Sequence, residues 1–525
     1  MGIRFGDTIM AYVRNGVLCN ADDFANDREA SEAKGIPISM DIGMRIYRDT
    51  LAFLFEVSAN NALHFKKNLM ITSSIGDGYY FLFKEGGAPS ESEIISIDAE
   101  MRRLVAEGKT IRKIRVESSK AISVLKGCGM DWSAALVDSL GSPSVELQEC
   151  CGTYTLSTTF IADSFKNITS FELRKYHDGF LLRFPRRGTD GVDSEWKDNE
   201  VLFRTISDDI RNSDVLSIDS IGHLNSIISE NGLDEYIEVS ENLQRRKIIE
   251  VSDQILAKGD VKAVFVAGPS SSNKTTFANR LCRELKVLGY HPMQISLDDY
   301  YFTKDKVPKN EFGEPDVECL ESIDVELFKS NLKDLYDGKE VYLPHFEFNF
   351  NKVGRRTFSE TPSRLGKNNI LVIEGIHALN SKLTESLSDD AIFKIYISPL
   401  VQLNLDEYNR IRSTDLRLLR RLVRDFKKRG ASALETLSMW PAVERGERKY
   451  IFPFQNDADA MLNSAHSYEI GVLSVYAIPL LRSIRESDDL SCYITARRLL
   501  SLLANVNPIP SELVPETSML QEFIG

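Results

Sequence analysis

From Gly43 onward apolar residues recur at helical spacing: Met44, Tyr47, Leu51, Leu54 and Phe55 fall on one side of a predicted helix. Met70-Ile71 opens a strand-like run, Gly76-Asp77-Gly78 reads as a turn, and residues 79–83 read as the returning strand. Residues 91–107 place Ile94, Ile97, Met101 and Leu104 on one face of an amphipathic helix, and strand-like runs return at 154–156 and 179–184. Together these elements predict an α+β domain over residues 43–205, with its pattern ending near Pro185-Arg186-Arg187-Gly188. Residues 1–42 are weakly patterned around an acidic, Ala/Asn-rich middle and are expected to form a short or partly ordered leader. Residues 206–258, with Ile218, Ile221, Leu224 and Ile228 and then Leu243, Ile248 and Ile255, predict a helical connector.

Beyond residue 259 the period changes. Short β-branched runs at 264–267, 293–297, 370–373, 392–397 and 460–462 alternate with helical stretches. That alternation predicts an α/β unit over 259–480, a parallel sheet with helices on both faces, followed by a helical tail over 481–525. Ligands of such sheets bind at the carboxyl ends of the strands, so the polar residues there carry the chemistry.

Composition narrows the class. Hydrophobic residues make up 42% and charged residues 27% of the 525, as in globular proteins, and the length suggests roughly two to four domains. No run approaches the ~20 apolar residues of a membrane-spanning helix, and residues 1–10 lack the pattern of a secretory signal. The seven cysteines show neither disulfide nor zinc spacing, so a reducing cytoplasm is the expected compartment. A net charge of −13 opposes bulk binding to nucleic acid, and neither nucleic acid nor membrane is expected as a partner.

The run at 264–267 leads into Gly268-Pro269-Ser270-Ser271-Ser272-Asn273-Lys274-Thr275-Thr276, followed by a helical pattern over 277–288. Strand, loop and helix in this order make a phosphate-cradling P-loop. Successive backbone N–H groups of such a loop wrap nucleotide phosphates. Lys274 would neutralise the β/γ oxygens, and Thr275 would reach Mg²⁺. Gly268, Ser270, Ser271, Ser272, Asn273, Lys274, Thr275 and Thr276 are therefore the expected nucleotide-binding residues, with ATP and Mg²⁺ as cofactors. Asn273 stands where G-x-x-x-x-G-K-[ST] has its second glycine. Asn visits positive φ at modest cost, so the loop is expected to tolerate it, with added bulk near the phosphates. A ligand-free Ser/Gly-rich turn is the bland alternative.

Three later features weigh against that alternative. Asp298-Asp299-Tyr300-Tyr301 follows a strand and offers a carboxylate to accept a hydroxyl proton and a ring to stack on a flat substrate; an acidic cap with a core aromatic is the other reading. Glu374-Gly375-Ile376-His377 ends a Walker-B-like strand, with Glu374 placed to hold Mg²⁺ or its water. Arg417, Arg420, Arg421 and Arg424 share a helix face at i, i+3, i+4 and i+7. That face is either a solvated basic surface or, as preferred here, a mobile lid that neutralises phosphoryl charge.

The order of these parts closely resembles the uridine kinase/phosphoribulokinase family of P-loop kinases. Specifically, the chain looks like bacterial-type uridine kinase-like proteins with a threonyl-tRNA-synthetase-related N-terminal region. Ile295-Ser296-Leu297-Asp298-Asp299-Tyr300, Val372-Ile373-Glu374-Gly375-Ile376-His377-Ala378-Leu379-Asn380, Met439-Trp440-Pro441, Ile451-Phe452-Pro453-Phe454-Gln455 and Leu520-Gln521-Glu522-Phe523-Ile524-Gly525 carry the likeness. Farther upstream, Ile75-Gly76-Asp77-Gly78-Tyr79-Tyr80-Phe81 and Tyr176-His177-Asp178-Gly179-Phe180-Leu181-Leu182-Arg183-Phe184 resemble the second additional domain of threonyl-tRNA synthetases. The H-x-x-x-H and C-x-x-x-H motifs of that domain would fall near Thr50 and Leu54 and on Cys150 and Tyr154, so only the cysteine is kept. The resemblance therefore implies an inherited scaffold without editing chemistry.

Carried over residue by residue, the family resemblance implies Asp298 as general base on a 5′-hydroxyl and Tyr301 against the base. It implies Asp316 on the ribose hydroxyls, Arg417 and Arg420 as clamps on substrate and phosphates, and Glu374 near Mg²⁺. Asn351 joins Tyr301 and Asp316 as a substrate-side residue, and a homo-oligomer is implied. Three segments depart from the family: Asn273; Pro315-Asp316-Val317-Glu318, where the family has Tyr-Asp-Phe-Glu; and Leu343-Pro344-His345-Phe346-Glu347-Phe348, where it has Leu-Pro-Thr-Phe-Asp-Phe. The expected activity is ATP/Mg²⁺-dependent phosphorylation of uridine or a related nucleoside. The alternatives are a kinase for another small alcohol or sugar phosphate, a nucleotide-binding regulatory protein with a weakened site, and an RNA-associated role for the N-terminal region.

Overall fold

The computed structural model describes the chain except residues 1–4, 15, 21–32, 217, 231, 304, 311–312, 348–353, 386 and 402. Within the expected leader, Ile9–Arg14 pairs antiparallel with Val17–Cys19 and Lys34–Pro37 in a three-stranded sheet. These strands are too short for alternation to announce them, and they gain stability by packing on the helix that follows. That helix, α1 (Asp41–Leu63), buries Tyr47, Leu51, Leu54 and Phe55 as the pattern predicts. It shares a core with an antiparallel sheet of Leu69–Ile75, Gly78–Phe83, Gly179–Arg183 and Glu172–Tyr176. A second antiparallel sheet joins Arg112–Glu117, Ser144–Cys150 and Thr153–Leu156. Helices Glu200–Leu216, Ile221–Ser229 and Leu233–Lys258 then lead to the second unit.

That unit is the predicted parallel α/β sheet. Its strands are β1 (Ala263–Ala267), β2 (His291–Ser296), β3 (Asn369–Glu374), β4 (Ile392–Ser398) and β5 (Ala460–Asn463), in spatial order β2-β3-β1-β4-β5 and parallel throughout. The continuous apolar runs follow from burial on both faces. Ala263, Phe265, Leu371 and Ile373 pack on one side, against Phe328, Leu332 and Leu335 of α3 (Val325–Tyr336). Val264, Val266, Ile370 and Val372 pack on the other, against Phe277, Leu281 and Leu285 of α2 (Lys274–Val287). A period of two thus sorts each strand between two cores.

The arginine-rich stretch forms α4 (Ser413–Arg429), followed by α5 (Ala433–Tyr450), α6 (Glu469–Arg482) and α7 (Leu490–Leu503). Packing does not stop at residues 205, 258 or 480. One core gathers Leu136 and Leu147 from the N-terminal region, Leu224 from the connecting helices, Leu419 and Val423 from α4, Leu473 from α6, Leu499 from α7, and Phe523. Polar contacts reinforce it: Glu407 accepts from the N–H groups of Trp132 (2.7 Å) and Ser133 (3.0 Å), and Asn404 Nδ2 donates to the Ile71 carbonyl (2.7 Å). Among the described residues no helix is long and apolar enough to cross a membrane.

Candidate active site

Strand register brings the polar strand ends to one edge. Val266 of β1 and Ser296 of β2 both pair with Glu374, the last residue of β3. Asp298 follows β2 and Gly268 follows β1, so both leave the sheet beside Glu374. Glycine is required at 268, where a Cβ would lie 2.0 Å from the Ile397 carbonyl oxygen of β4.

The loop then turns into α2, whose first residue is Lys274. Asn273 caps that helix in the left-handed region (φ 69°, ψ 27°), as expected of the position, and Ser271 also has positive φ (60°). The Asn273 side chain, expected to crowd the phosphates, is instead engaged by protein and 1% exposed. Its Nδ2 donates to the Met519 carbonyl (2.9 Å) and to Glu522 Oε2 (3.0 Å), and its Oδ1 accepts from Arg420 Nη1 (2.8 Å). Thr276 Oγ1 donates to the same Glu522 oxygen (2.6 Å).

Lys274 Nζ donates back across the loop to the Pro269 carbonyl (3.0 Å). The Ser270 N–H donates to Glu447 Oε1 (2.9 Å), and Ser270 Oγ accepts from Arg421 Nη1 (2.8 Å). The Ser271 and Ser272 hydroxyls are buried without a hydrogen-bond partner. Such orphaned donors at the start of a helix suit a phosphate ligand. Thr275 Oγ1 (3.1 Å) and Ser296 Oγ (2.8 Å) both donate to Glu374 Oε1. Two hydroxyls and a carboxylate at one point form the hard oxygen donor set that fits Mg²⁺.

The electrostatics centre on Lys274. Burial pushes Glu374 up to about 7, with the Asp298 charge adding to the rise and Lys274 opposing it. Asp298 opens to the cleft yet is densely surrounded; that surround raises its carboxyl, against the pull of Lys274, Arg429 and Arg424. Glu318 is likewise pushed up to about 7 by burial and by Glu447, with Arg421 and Lys274 opposing. Gly446 allows this approach, since a Cβ there would lie 2.3 Å from Glu318 Cβ.

The arginine face expected as a mobile lid is a buried wall. Arg417 (2% exposed) pairs with Glu447 and donates to the Ser270 carbonyl (3.3 Å). Arg420 (1% exposed) pairs with Glu469 through Nε (3.0 Å) and Nη2 (2.7 Å), and its Nη1 donates to the Ser271 carbonyl (3.1 Å). Helical spacing groups these arginines on one face, but Arg417, Arg420 and Arg421 hold the loop from behind. Arg424 of the same face acts on Asp298, together with Arg429 farther along α4.

On the substrate side, Tyr301 Oη donates to the Val317 carbonyl (3.1 Å), and its ring lies 6.1 Å from that of Phe346. Asp316 Oδ2 accepts from Tyr450 Oη (3.0 Å). Asp299 accepts from the Phe346 N–H (3.1 Å) and lies 3.0 Å from His345 Nδ1. Asn351 lies outside the described residues. Sequence reasoning gave no role to Glu318, Glu447, Glu469 or Glu522. Glu522 stands inside a stretch that carries the family likeness, and Glu318 keeps the last residue of the family's Tyr-Asp-Phe-Glu pattern, the one signal that could have marked them.

Comparison with known proteins places the likeness in this unit. A uridine kinase of Macrococcus caseolyticus is 27% identical over 208 residues, 39% of this chain and 90% of the relative. A uridine kinase of Staphylococcus aureus is 29% identical over 209 residues, 39% of this chain and 89% of the relative. Among solved structures, a possible uridine kinase from Bacillus stearothermophilus aligns at 18% identity over 42% of this chain and 98% of its own, with a TM-score of 0.26. D-glycerate 3-kinase from Cryptococcus neoformans aligns at 15% identity over 48% and 88%, with a TM-score of 0.23. Residues 263–470, which hold the P-loop, Asp298, Glu374 and α4, match the Phosphoribulokinase / Uridine kinase family.

Proposed function

We propose that the chain is an ATP-dependent kinase that phosphorylates a small alcohol, with the 5′-hydroxyl of uridine or a related nucleoside as acceptor. The observation that carries this reading is the grouping of Lys274 with Asp298, Glu318 and Glu374 at the carboxyl edge of the sheet, next to two orphaned loop hydroxyls. The family match over 263–470 and the uridine kinase relatives support it.

In this reading the loop N–H groups and the Ser271 and Ser272 hydroxyls hold the phosphates, and Lys274 neutralises charge on the group in transfer. Asp298 takes the proton of the acceptor hydroxyl as its oxygen bonds to phosphorus, while ADP departs. Arg424 and Arg429 act on that side of the cleft; Arg417 and Arg420 keep the loop in shape. Thr275 and Glu374 would hold Mg²⁺, which when bound screens phosphate charge. Tyr301 and Asp316 border the acceptor side. The N-terminal region serves as scaffold: Thr50 and Leu54 are fully buried, and the Thr50 hydroxyl is bonded to the Ile46 carbonyl (2.7 Å) and the Ala162 N–H (3.0 Å).

ATP consumption with uridine tests the reading. Lys274→Ala and Asp298→Ala should each abolish turnover while the thermal midpoint stays within a few degrees of the parent, and wild-type-like turnover in either variant would overturn the assignment. A second reading, a regulatory nucleotide-binding protein, is favoured by the Glu447 carboxylate seated on the Ser270 N–H. ATP binding without turnover on a panel of nucleosides, pentose phosphates and pantothenate-like alcohols would select it.

A further inference from the structure

A cavity of about 420 Å³ lies between α1, residues 405–415 and α7, and none of the P-loop, Asp298 or Glu374 lines it. Its volume is in the range of small-molecule pockets. Much of the wall is apolar, including Ile46, Phe53, Ile161 and Ile494. The remainder is strongly cationic. Arg45, Arg410, Arg412, Arg497 and Arg498 face Asp49, Asp415 and Glu56.

Two of the three acids are already taken. Asp49 pairs with Arg412, and Asp415 pairs with Arg45 (3.1 Å) and Arg498 (2.6 Å). Arg410 and Arg497 have no ion-pair carboxylate among the described residues; each lies over a ring, of Tyr79 and Tyr493 respectively, and Arg497 Nη2 also donates to the Ile484 carbonyl (3.2 Å). Glu56 is 1% exposed, its oxygens make no hydrogen bond of standard geometry, and the Tyr408 hydroxyl is the polar group alongside. Burial, with Asp406 and Glu407 nearby, holds its carboxyl far above the usual range.

Several donors in the lining lack an acceptor. Gln148 Nε2 (on a residue 1% exposed), Thr158 Oγ1 and Arg410 Nε are buried without a partner. An unpaired buried donor costs about 1–3 kcal/mol, and several around one apolar space define what would relieve them. The missing component is negative and rich in acceptor oxygens.

We propose that this cavity is a binding site for a small organic anion, a carboxylate or phosphate monoester on an apolar or aromatic body, with Arg410 and Gln148 holding the head group. The apolar wall takes the body, and the two polar side chains satisfy the oxygens. The site is separate from the proposed kinase centre and does not depend on its substrate.

The probe is 8-anilinonaphthalene-1-sulfonate, an anion on an aromatic body, titrated into the full chain at saturating ATP and Mg²⁺. The expected result is a saturable one-site rise in fluorescence. Displacement by phenyl phosphate alone assigns the phosphate head group, by benzoate alone the carboxylate, and by both a shared anion site. Benzyl alcohol displacing the probe as well as either acid would overturn the anion requirement. Arg410→Met and Gln148→Leu should each weaken probe binding about tenfold, equivalent to one charge-assisted contact, with the thermal midpoint recording folding. Ala52→Phe, which fills the cavity from α1, should remove binding. Absence of saturable binding, or binding unchanged in both Arg410→Met and Gln148→Leu, would refute the site.

Discussion

Asn273 shows how one residue can satisfy a backbone demand and acquire a second task. Its φ of 69° suits either glycine or asparagine, but its amide also joins Arg420, Met519 and Glu522. Asn273→Gly should therefore keep the loop conformation and lose those bonds. The expected outcome is a stability loss of about 1–3 kcal/mol in chemical denaturation with no gain in turnover. A steep rise in activity would mean that the amide obstructs the nucleotide after all. A second residue-scale prediction concerns pH. Burial raises the Asp298 carboxyl, against the pull of Lys274, Arg429 and Arg424, and it must be ionised to take the acceptor's proton. Because the shift is upward, the protonated, inactive form persists to higher pH than for an ordinary carboxyl. The kcat/KM should therefore fall with acid while still above the ordinary carboxylate range, and a flat profile down to about pH 4 would contradict the role assigned.

At the scale of elements, the parallel strands were legible because burial on both faces leaves continuous apolar runs that few other structures produce. The positions of Asp298 and Glu374 at the sheet edge were legible for the same reason: Glu374 ends β3, Asp298 comes two residues after β2, and the pairing of Ser296 with Glu374 does the rest. The placement of α4 was not. Spacing of three and four residues shows which arginines share a face, but not what that face meets. Glu447 and Glu469 lie on other helices, 30 and 49 residues from their partners. Nor could short strands before residue 40 be read from sequence, since their pattern spans only a few residues each. The buried wall makes a prediction that a lid would not. Arg420→Met leaves Glu469 buried and unpaired and should cost about 3–5 kcal/mol, whereas pairing it with Glu469→Met should restore much of the loss. Thermal unfolding of the single and double variants checks this. A mobile lid arginine would change turnover and leave stability untouched.

At the scale of the whole molecule, Asp415 ties three distant parts of the chain together. It opens α4, and it is bound by Arg45 from α1 and Arg498 from α7, partners 370 and 83 residues away. No local pattern could reveal such a junction, and the anion cavity beside it is built from the same distant segments. Burial alone would raise the Asp415 carboxyl, but Arg45, Arg498 and Arg412 outweigh it and hold the group well below the usual carboxylate range. A depressed pKa gives stability that is present above the unfolded value, about 4, and lost as pH falls through the folded value. Acid should therefore loosen the junction between the N-terminal region, α4 and α7 before the β1–β5 sheet melts. Asp415→Asn should lower stability at neutral pH by about 3–5 kcal/mol, because two arginines lose their anion. It should also flatten the decline in stability below about pH 4, since the variant has no proton to take up there. Unfolding free energies measured against pH for parent and variant test both parts, and parallel curves for the two proteins would show that Asp415 does not hold this junction by charge.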